Sequence, residues 1–529
     1  MSENRHYDVV IIGTGAGGGT LAWKLAPTGK RILLLERGDY LPRERDNWDT
    51  TAVFTSGKYL TDEKWLDSDG DAFVPEQNYY VGGNTKFYGA ALFRLRPEDF
   101  GEIRHHGGIS PAWPLDYTDF EPWYTEAERL YVVHGQDGED PTDGPRQGPF
   151  PYPRVEHEPR IQQLHDDLER AGHHPSHLPI GVMLDQDADG NATRTSACIR
   201  CDRVDGFPCL LRGKADAETV CVEPALEHPN VDLVTGARVE RLETDAGGRR
   251  VTAAVAVAAD GTETRYSGDI VVVACGALNS ALLLLKSANE AHPNGLANSS
   301  DQVGRNYMRH NNLALMALSV EPNPTRFQKT LALNDWYLTG DDGWDYPMGG
   351  IQMLGKSDGE MLRGKAPHWA AFGAKLTPGR SLEMIARHAV DFWLSNEDLP
   401  RPENRITVDA DGTVHLAVDN KNNTEGLKRL RRKLESMLTH LGMHEETHHR
   451  KVYLYEGMDI AATAHQAGTA RFGLDPATSV LDTTCKAHDL DNLYVVDSSF
   501  FVSIGAVNPT LTIIANALRV GEIIHERLG

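Results

Sequence analysis

Cysteine is scarce in this chain. Six residues among 529 are too few for a disulfide scaffold, which points to a reducing compartment and a cytoplasmic protein. Long apolar runs are missing as well: no stretch reaches the 18 or so residues that span a bilayer, so no membrane partner is expected. The opening residues, MSENRH, contain no apolar core of the signal-peptide kind. Positive charge is in deficit, with 53 Lys plus Arg against 76 Asp plus Glu and a net charge of −23. Such a surface repels phosphate backbones, which excludes nucleic acid as a partner. A nucleophile elbow of the Gly-x-Ser-x-Gly type is not expected, so a hydrolase is poorly supported. There is no internal repeat.

What remains is an ordinary globular composition, 40% hydrophobic and 24% charged, long enough for two to four folding units. Residues 7–13 (YDVVIIG) form a short, β-branched apolar run bounded by glycine, the pattern of a strand buried on both faces. A helix is expected over 18–27 and a second buried strand over 31–36 (RILLLE), which makes a β-α-β unit opening a parallel sheet. Strand patterns recur at 231–234, 251–257, 270–274 and 493–496, with Asp260-Gly261 as a hairpin turn, and helices are expected at 280–287 and 509–528. Between about 312 and 425 the runs NLALMALSV, GGIQML, HAVDFWL and the pair NRITVD/TVHLAV predict a mostly antiparallel sheet. The basic run LKRLRRKL (427–434) reads as the solvated face of a helix.

The fold class is therefore α/β, with a discontinuous Rossmann-like domain and an antiparallel-sheet substrate domain. The expected division is 1–110, 196–311 and 451–529 for the nucleotide domain and 312–450 for the substrate domain. Residues 111–195 are read as a loop and helical insertion contributing to the latter.

Gly13-x-Gly15-x-x-Gly18 lies between strand and helix, the setting in which this spacing binds a dinucleotide. The first Gly permits the turn, the second lets backbone approach a pyrophosphate, and the third lets helix and strand pack closely. Glu36 ends the next strand, where a carboxylate accepts from ribose hydroxyls and disfavours a 2′-phosphate. The motif alone does not separate NAD from FAD.

Near the C-terminus stand AHQAGTARFG with His465, NLYVVDSS with Asp497, and AVNPTLTIIANALR with Asn508. Asn508 before Pro509 has a bland reading as a helix cap. Together with YDVVIIGTGAGGG, Val81-Gly82-Gly83, VVVACGALNSALLLLKS (271–287) and VGRNYM (303–308), these segments resemble the glucose-methanol-choline (GMC) family of flavin oxidoreductases in the right order along nearly the whole chain.

The resemblance implies bound FAD, with His465 removing the hydroxyl proton of an alcohol and Asn508 hydrogen-bonding the same oxygen. The cofactor contacts it implies are Gly13, Gly15, Ala16, Gly18, Glu36, Arg37, Gly82, Gly83, Asn84, Tyr88, Val239, Cys275, Gly276, Asp497, Asn508, Pro509 and Thr510. The His/Asn pair with NPTLT is similar to pyranose oxidases and their bacterial glycoside-oxidising relatives. That similarity implies a sugar or glycoside oxidised at ring carbon C2 or C3, with O2 or a quinone as electron acceptor. Fungal pyranose oxidases carry a flavin-bonding histidine in the loop after the Gly-Gly pair. Here that loop is Asn84-Thr85-Lys86-Phe87-Tyr88, so the FAD is expected to be non-covalent. Trp336, Tyr337, Trp344 and Trp369 are available to stack on a sugar, or simply to pack within the sheet.

Cys198, Cys201 and Cys209 could suggest zinc or an iron–sulfur cluster. No fourth Cys lies in this local cluster, which leaves a three-Cys site or a distant fourth ligand as the alternative; reduced thiols in a compact loop are expected, with no metal. Other readings kept open are a GMC dehydrogenase slow with O2, an NAD-dependent dehydrogenase, and a flavin-binding module without catalysis.

Overall fold

The structure is a computed structural model that describes residues 6–341, 343–364, 379–441, 449–457 and 465–529. Trp369 lies outside these residues.

The β-branched and leucine runs of the sequence assemble a seven-stranded sheet. His6–Ile12 lies at its centre, flanked by Ile32–Leu35 and Glu263–Val273, all parallel. Val231–Val234 extends the sheet beyond Ile32–Leu35, and Leu493–Val495 pairs in parallel with Glu263–Val273. Ile32, Leu33, Leu34 and Leu35 are all buried, because helices and loops cover both faces. Each contributes about 1.5–3 kcal/mol on transfer from water. The hairpin around Asp260-Gly261 joins Val251–Val257 to Glu263–Val273, as expected. Three chain-distant segments therefore share one sheet.

Helix Ala16–Leu25 packs against the C-terminal helix Thr510–Leu528 over the central strands. Two glycines permit the first turn. A Cβ on Gly13 would sit 2.3 Å from the Ala274 carbonyl oxygen, and one on Gly18 would sit 2.0 Å from that of Gly13.

The second sheet has six strands in the order His449–Gly457, Asn311–Ser319, Ala389–Asn396, Gly350–Met353, Leu331–Leu333 and Pro175–His177, antiparallel throughout. Its edge strand Pro175–His177 comes from the insertion, and His449–Gly457 runs across the expected boundary at 450/451. The pair expected within this sheet, NRITVD/TVHLAV, lies elsewhere. Arg405–Val408 and Val414–Ala417 form a hairpin that joins Trp65–Leu66 and Ala72–Phe73 in a separate four-stranded sheet. A two-residue turn sets which strands pair locally, but the sheet a hairpin joins is decided by distant contacts.

The basic run lies on helix Thr424–Leu441, which turns Leu427, Leu430, Leu434, Met437, Leu438 and Leu441 inward. Its cations pair outward with Glu425 and Glu435. Among the described residues, no helix is long and apolar enough to cross a membrane.

Candidate active site

A cavity of about 1380 Å³ is lined by residues of both sheets. At one end its wall is the Gly-rich turn. Gly15 begins helix Ala16–Leu25 with no side-chain cap, so the first helical N–H groups are left for a ligand. A Cβ on Gly15 would meet nothing within 4 Å; the position opens into the cavity. Helix Thr510–Leu528 presents a second start without a side-chain cap, at Pro509. Two helix N-termini facing one cavity favour a ligand that carries negative charge.

Glu36 lines the same wall. Its carboxylate accepts from the Thr14 N–H (3.2 Å), the Thr14 hydroxyl (2.6 Å) and the Gly38 N–H (2.9 Å). Burial raises its pKa against these bonds. Arg37 lies over the Tyr79 ring, its Cζ 3.5 Å from the ring centroid, and donates to Glu63. The middle of the cavity is bounded by Gly83, Asn84, Tyr88, Val239, Cys275, Gly276 and Asp497. Asp497 holds this region together, accepting from the Gly276 N–H at 3.0 Å and from the hydroxyls of Ser280 and Ser499. Burial pushes the Cys275 thiol up to about 12, which keeps it protonated beside these groups.

His465 and Asn508 meet on the cavity wall. The Asn508 Nδ2 donates to His465 Nε2 at 3.3 Å, and Asn508 Oδ1 accepts from Gln352 Nε2 at 2.8 Å. On its other side His465 Nδ1 lies 2.8 Å from His310 Nδ1, while His310 Nε2 faces the Ile504 carbonyl at 3.4 Å. The network has one consistent proton assignment. His310 donates from Nε2 to Ile504 and accepts at Nδ1 from His465, which leaves His465 Nε2 unprotonated, its lone pair facing the Asn508 N–H.

Burial drives the His465 pKa well below its ordinary value, and the neighbouring His310 and Lys329 push it further down. His310 falls to about 4 for the same first reason. Gln352, Trp393 and Asn312 line the cavity from adjacent strands of the antiparallel sheet.

The family models decide the identity. The GMC oxidoreductase N-terminal model matches residues 8–312 and the C-terminal model residues 400–517. The chain belongs to the GMC oxidoreductase family. It is 32% identical to a 6′′′-hydroxyparomomycin C oxidase of Streptomyces lividus over 100% of this chain and 93% of that protein. It is 30% identical to a paromamine 6′-oxidase of Streptomyces fradiae over 99% and 92%. The crystal structure of pyridoxine 4-oxidase from Mesorbium loti shares the fold at TM-score 0.65 and 19% identity, covering 98% of this chain and 99% of that one.

GMC oxidoreductases bind FAD and act on CH–OH groups, and the wall of this GMC oxidoreductase fits that cofactor. It offers uncapped helix starts for a pyrophosphate, a buried acceptor at Glu36 for ribose hydroxyls, and space where Gly15 lacks a side chain.

Fifteen of the seventeen residues expected to contact FAD line the cavity. Gly18 and Gly82 do not. Gly18 serves helix packing, and Gly82, at φ +93°, aims its N–H at the Thr14 hydroxyl 3.1 Å away. Asn508 is not the helix cap: Pro509 holds that position, and the amide is spent on His465 and Gln352.

Of the two readings of the aromatics, packing is the one that holds for three of them. Trp336, Tyr337 and Trp344 are buried away from the cavity, bonded or stacked to Asp341, Asp99 and His106 respectively. Trp393 lines the wall instead. His310, Gln352 and Trp393 were not singled out from the sequence. His310 follows the VGRNYM segment by two residues, the nearest signal it had among 22 histidines.

One Gly-x-Ser-x-Gly pentapeptide does occur, at 355–359, against the expectation of none. Its Ser357 engages the buried carboxylate of Asp391, and no histidine partner is seen for it among the described residues, so it does not have the hydrogen bonds of a nucleophile elbow. Cys198 is buried with its thiol pushed up to about 12, and Cys209 Sγ accepts from the Gly213 N–H at 3.1 Å.

Proposed function

We propose that the protein oxidises a hydroxyl of a sugar or glycoside to a carbonyl, with electrons passing from the flavin to O2, giving H2O2, or to a quinone or other carrier. The observation that carries this reading is the unprotonated Nε2 of His465 beside an amide whose orientation Gln352 sets. His465 takes the hydroxyl proton at Nε2 while its Nδ1–H stays on His310, so the imidazolium that forms is already oriented. The second N–H of Asn508 donates to the substrate oxygen and holds it against the base. FAD, when bound, supplies the acceptor for the carbinol hydride. Burial keeps His465 neutral at working pH, the form a base requires.

The wall around the pair suits a sugar. Trp393 offers an apolar face, and Asn312, Gln352 and Lys329 offer polar groups to hydroxyls. The similarity to two oxidases named for aminoglycosides supports a sugar-bearing substrate. The His/Asn pair with NPTLT supports a secondary ring hydroxyl at C2 or C3. A second reading, an exocyclic C6 hydroxyl, is favoured by the 6′ and 6′′′ positions in the names of those relatives.

The test is anaerobic mixing of the yellow holoenzyme with monosaccharides, plant glycosides and aminoglycosides, followed by air. Bleaching by a sugar, with the carbonyl located by NMR of the product, establishes the substrate class and the carbon. Rapid return of colour with H2O2 marks an oxidase and slow return a dehydrogenase. Absence of bleaching by every sugar removes the carbohydrate reading.

A further inference from the structure

Three histidines gather apart from the FAD cavity, and none of them lines it. His157 precedes helix Pro159–Arg170, His165 lies on that helix, and His177 ends the edge strand Pro175–His177 of the antiparallel sheet. One ring nitrogen from each lies within 4.8 Å of the other two. The His157 and His177 rings stack at 4.0 Å, and the His165 ring centroid stands 5.2 and 5.7 Å from theirs.

The hydrogen bonds of these rings are divided by side. His177 Nδ1 faces the two oxygens of Glu139 at 2.8 and 3.1 Å, and His157 Nδ1 meets Thr330 Oγ1 at 2.8 Å. The Nε2 atoms of all three, and Nδ1 of His165, are buried without a hydrogen-bond partner. His165 and His177 are themselves more than nine-tenths buried. A buried polar atom left without a partner destabilises the fold. Four on three neighbouring rings are poorly explained by packing, which leucine would serve better.

We propose that His157, His165 and His177 form a tris-imidazole site for a transition-metal dication of the zinc class. A histidine that holds a metal through one nitrogen commonly gives its other N–H to a carboxylate or hydroxyl, the part Glu139 and Thr330 play here. The donors are nitrogen rather than oxygen, which selects against calcium and magnesium. Such an ion ties the insertion helix to the edge of the substrate sheet. Thr330 adjoins Lys329 on the catalytic cavity wall, so the clamp also steadies that wall.

The test uses full-length, FAD-loaded enzyme without a polyhistidine tag, stripped with chelator and then titrated with Zn²⁺ or Co²⁺ alone. About one ion per chain should survive gel filtration, and the thermal midpoint should rise. His165→Gln and His177→Gln should each lose both effects, while His174→Gln, altered at an exposed ring paired with Asp335, keeps them. X-ray absorption of zinc-loaded wild type, which needs no variant to fold, should show nitrogen neighbours at about 2.0 Å. Failure to retain an ion, sulfur ligation that places it on the cysteines, or retention unchanged in His165→Gln would each overturn the proposal.

Discussion

The Nδ1 atoms of His310 and His465 lie 2.8 Å apart, and this contact decides which nitrogen of the second ring is free. Two imidazole nitrogens can share only one proton between them. Because His310 also faces the Ile504 carbonyl through Nε2, the shared proton belongs to His465 Nδ1. His465 Nε2 is then unprotonated toward the cavity, next to Asn508.

Replacing His465 tests its proposed role as the base. His465→Ala should lower turnover by about 10²–10⁴-fold while FAD remains bound, read by steady-state kinetics beside the flavin spectrum. Near-normal turnover would remove His465 as the base.

His310 is a positioning residue, and its test is the pH profile. With the His465 pKa lowered, the neutral base persists as pH falls below the ordinary imidazole range, so kcat/KM of wild type should stay level from pH 8 to about 6 and fall only at more acid pH. His310→Ala removes a neighbour that pushes this pKa down, so the acid limb should move to higher pH as well as kcat dropping. Stability follows the same sign. His310 titrates at about 4 in the folded protein, so its contribution is present above the ordinary imidazole pKa and is lost as pH falls toward 4.

Gln352 orients the amide of Asn508 without being the base. Gln352→Leu leaves Asn508 Oδ1 without its donor and frees the amide to turn. A kcat loss of about tenfold is expected, roughly one hydrogen bond to an uncharged group, with FAD content unchanged. A kcat equal to wild type would show that the orientation is set elsewhere.

The glycines separate binding from folding. Gly15→Val should give a folded protein, by circular dichroism, that purifies with little or no flavin, because the new side chain enters the cavity. Gly18→Ala should instead compromise folding, since its Cβ would meet the Gly13 carbonyl at 2.0 Å.

The flavin linkage is read directly. The loop after Gly83 has no histidine, and its Lys86 is buried against Asp216 and Glu218. Acid precipitation should therefore release the yellow colour to the supernatant; colour retained in the pellet would mean a covalent bond.

Much of this molecule was legible in its residues. YDVVIIG followed by Gly13, Gly15 and Gly18 dictates a buried strand, a tight turn and an exposed helix start, because those requirements are local and steric. The motif segments around His465 and Asn508 likewise carried their own signal. Tertiary structure alone decided what those groups would touch. His310 reaches His465 across 155 positions, and Gln352 reaches Asn508 across 156. The aromatic on the cavity wall is Trp393, turned there by the register of its strand, rather than Trp336 or Trp344. His157, His165 and His177 show no ligand spacing in the chain, and they converge only when the insertion helix docks against the sheet edge. Backbone preference is written within a few residues, whereas side-chain encounters depend on how whole sheets and helices pack.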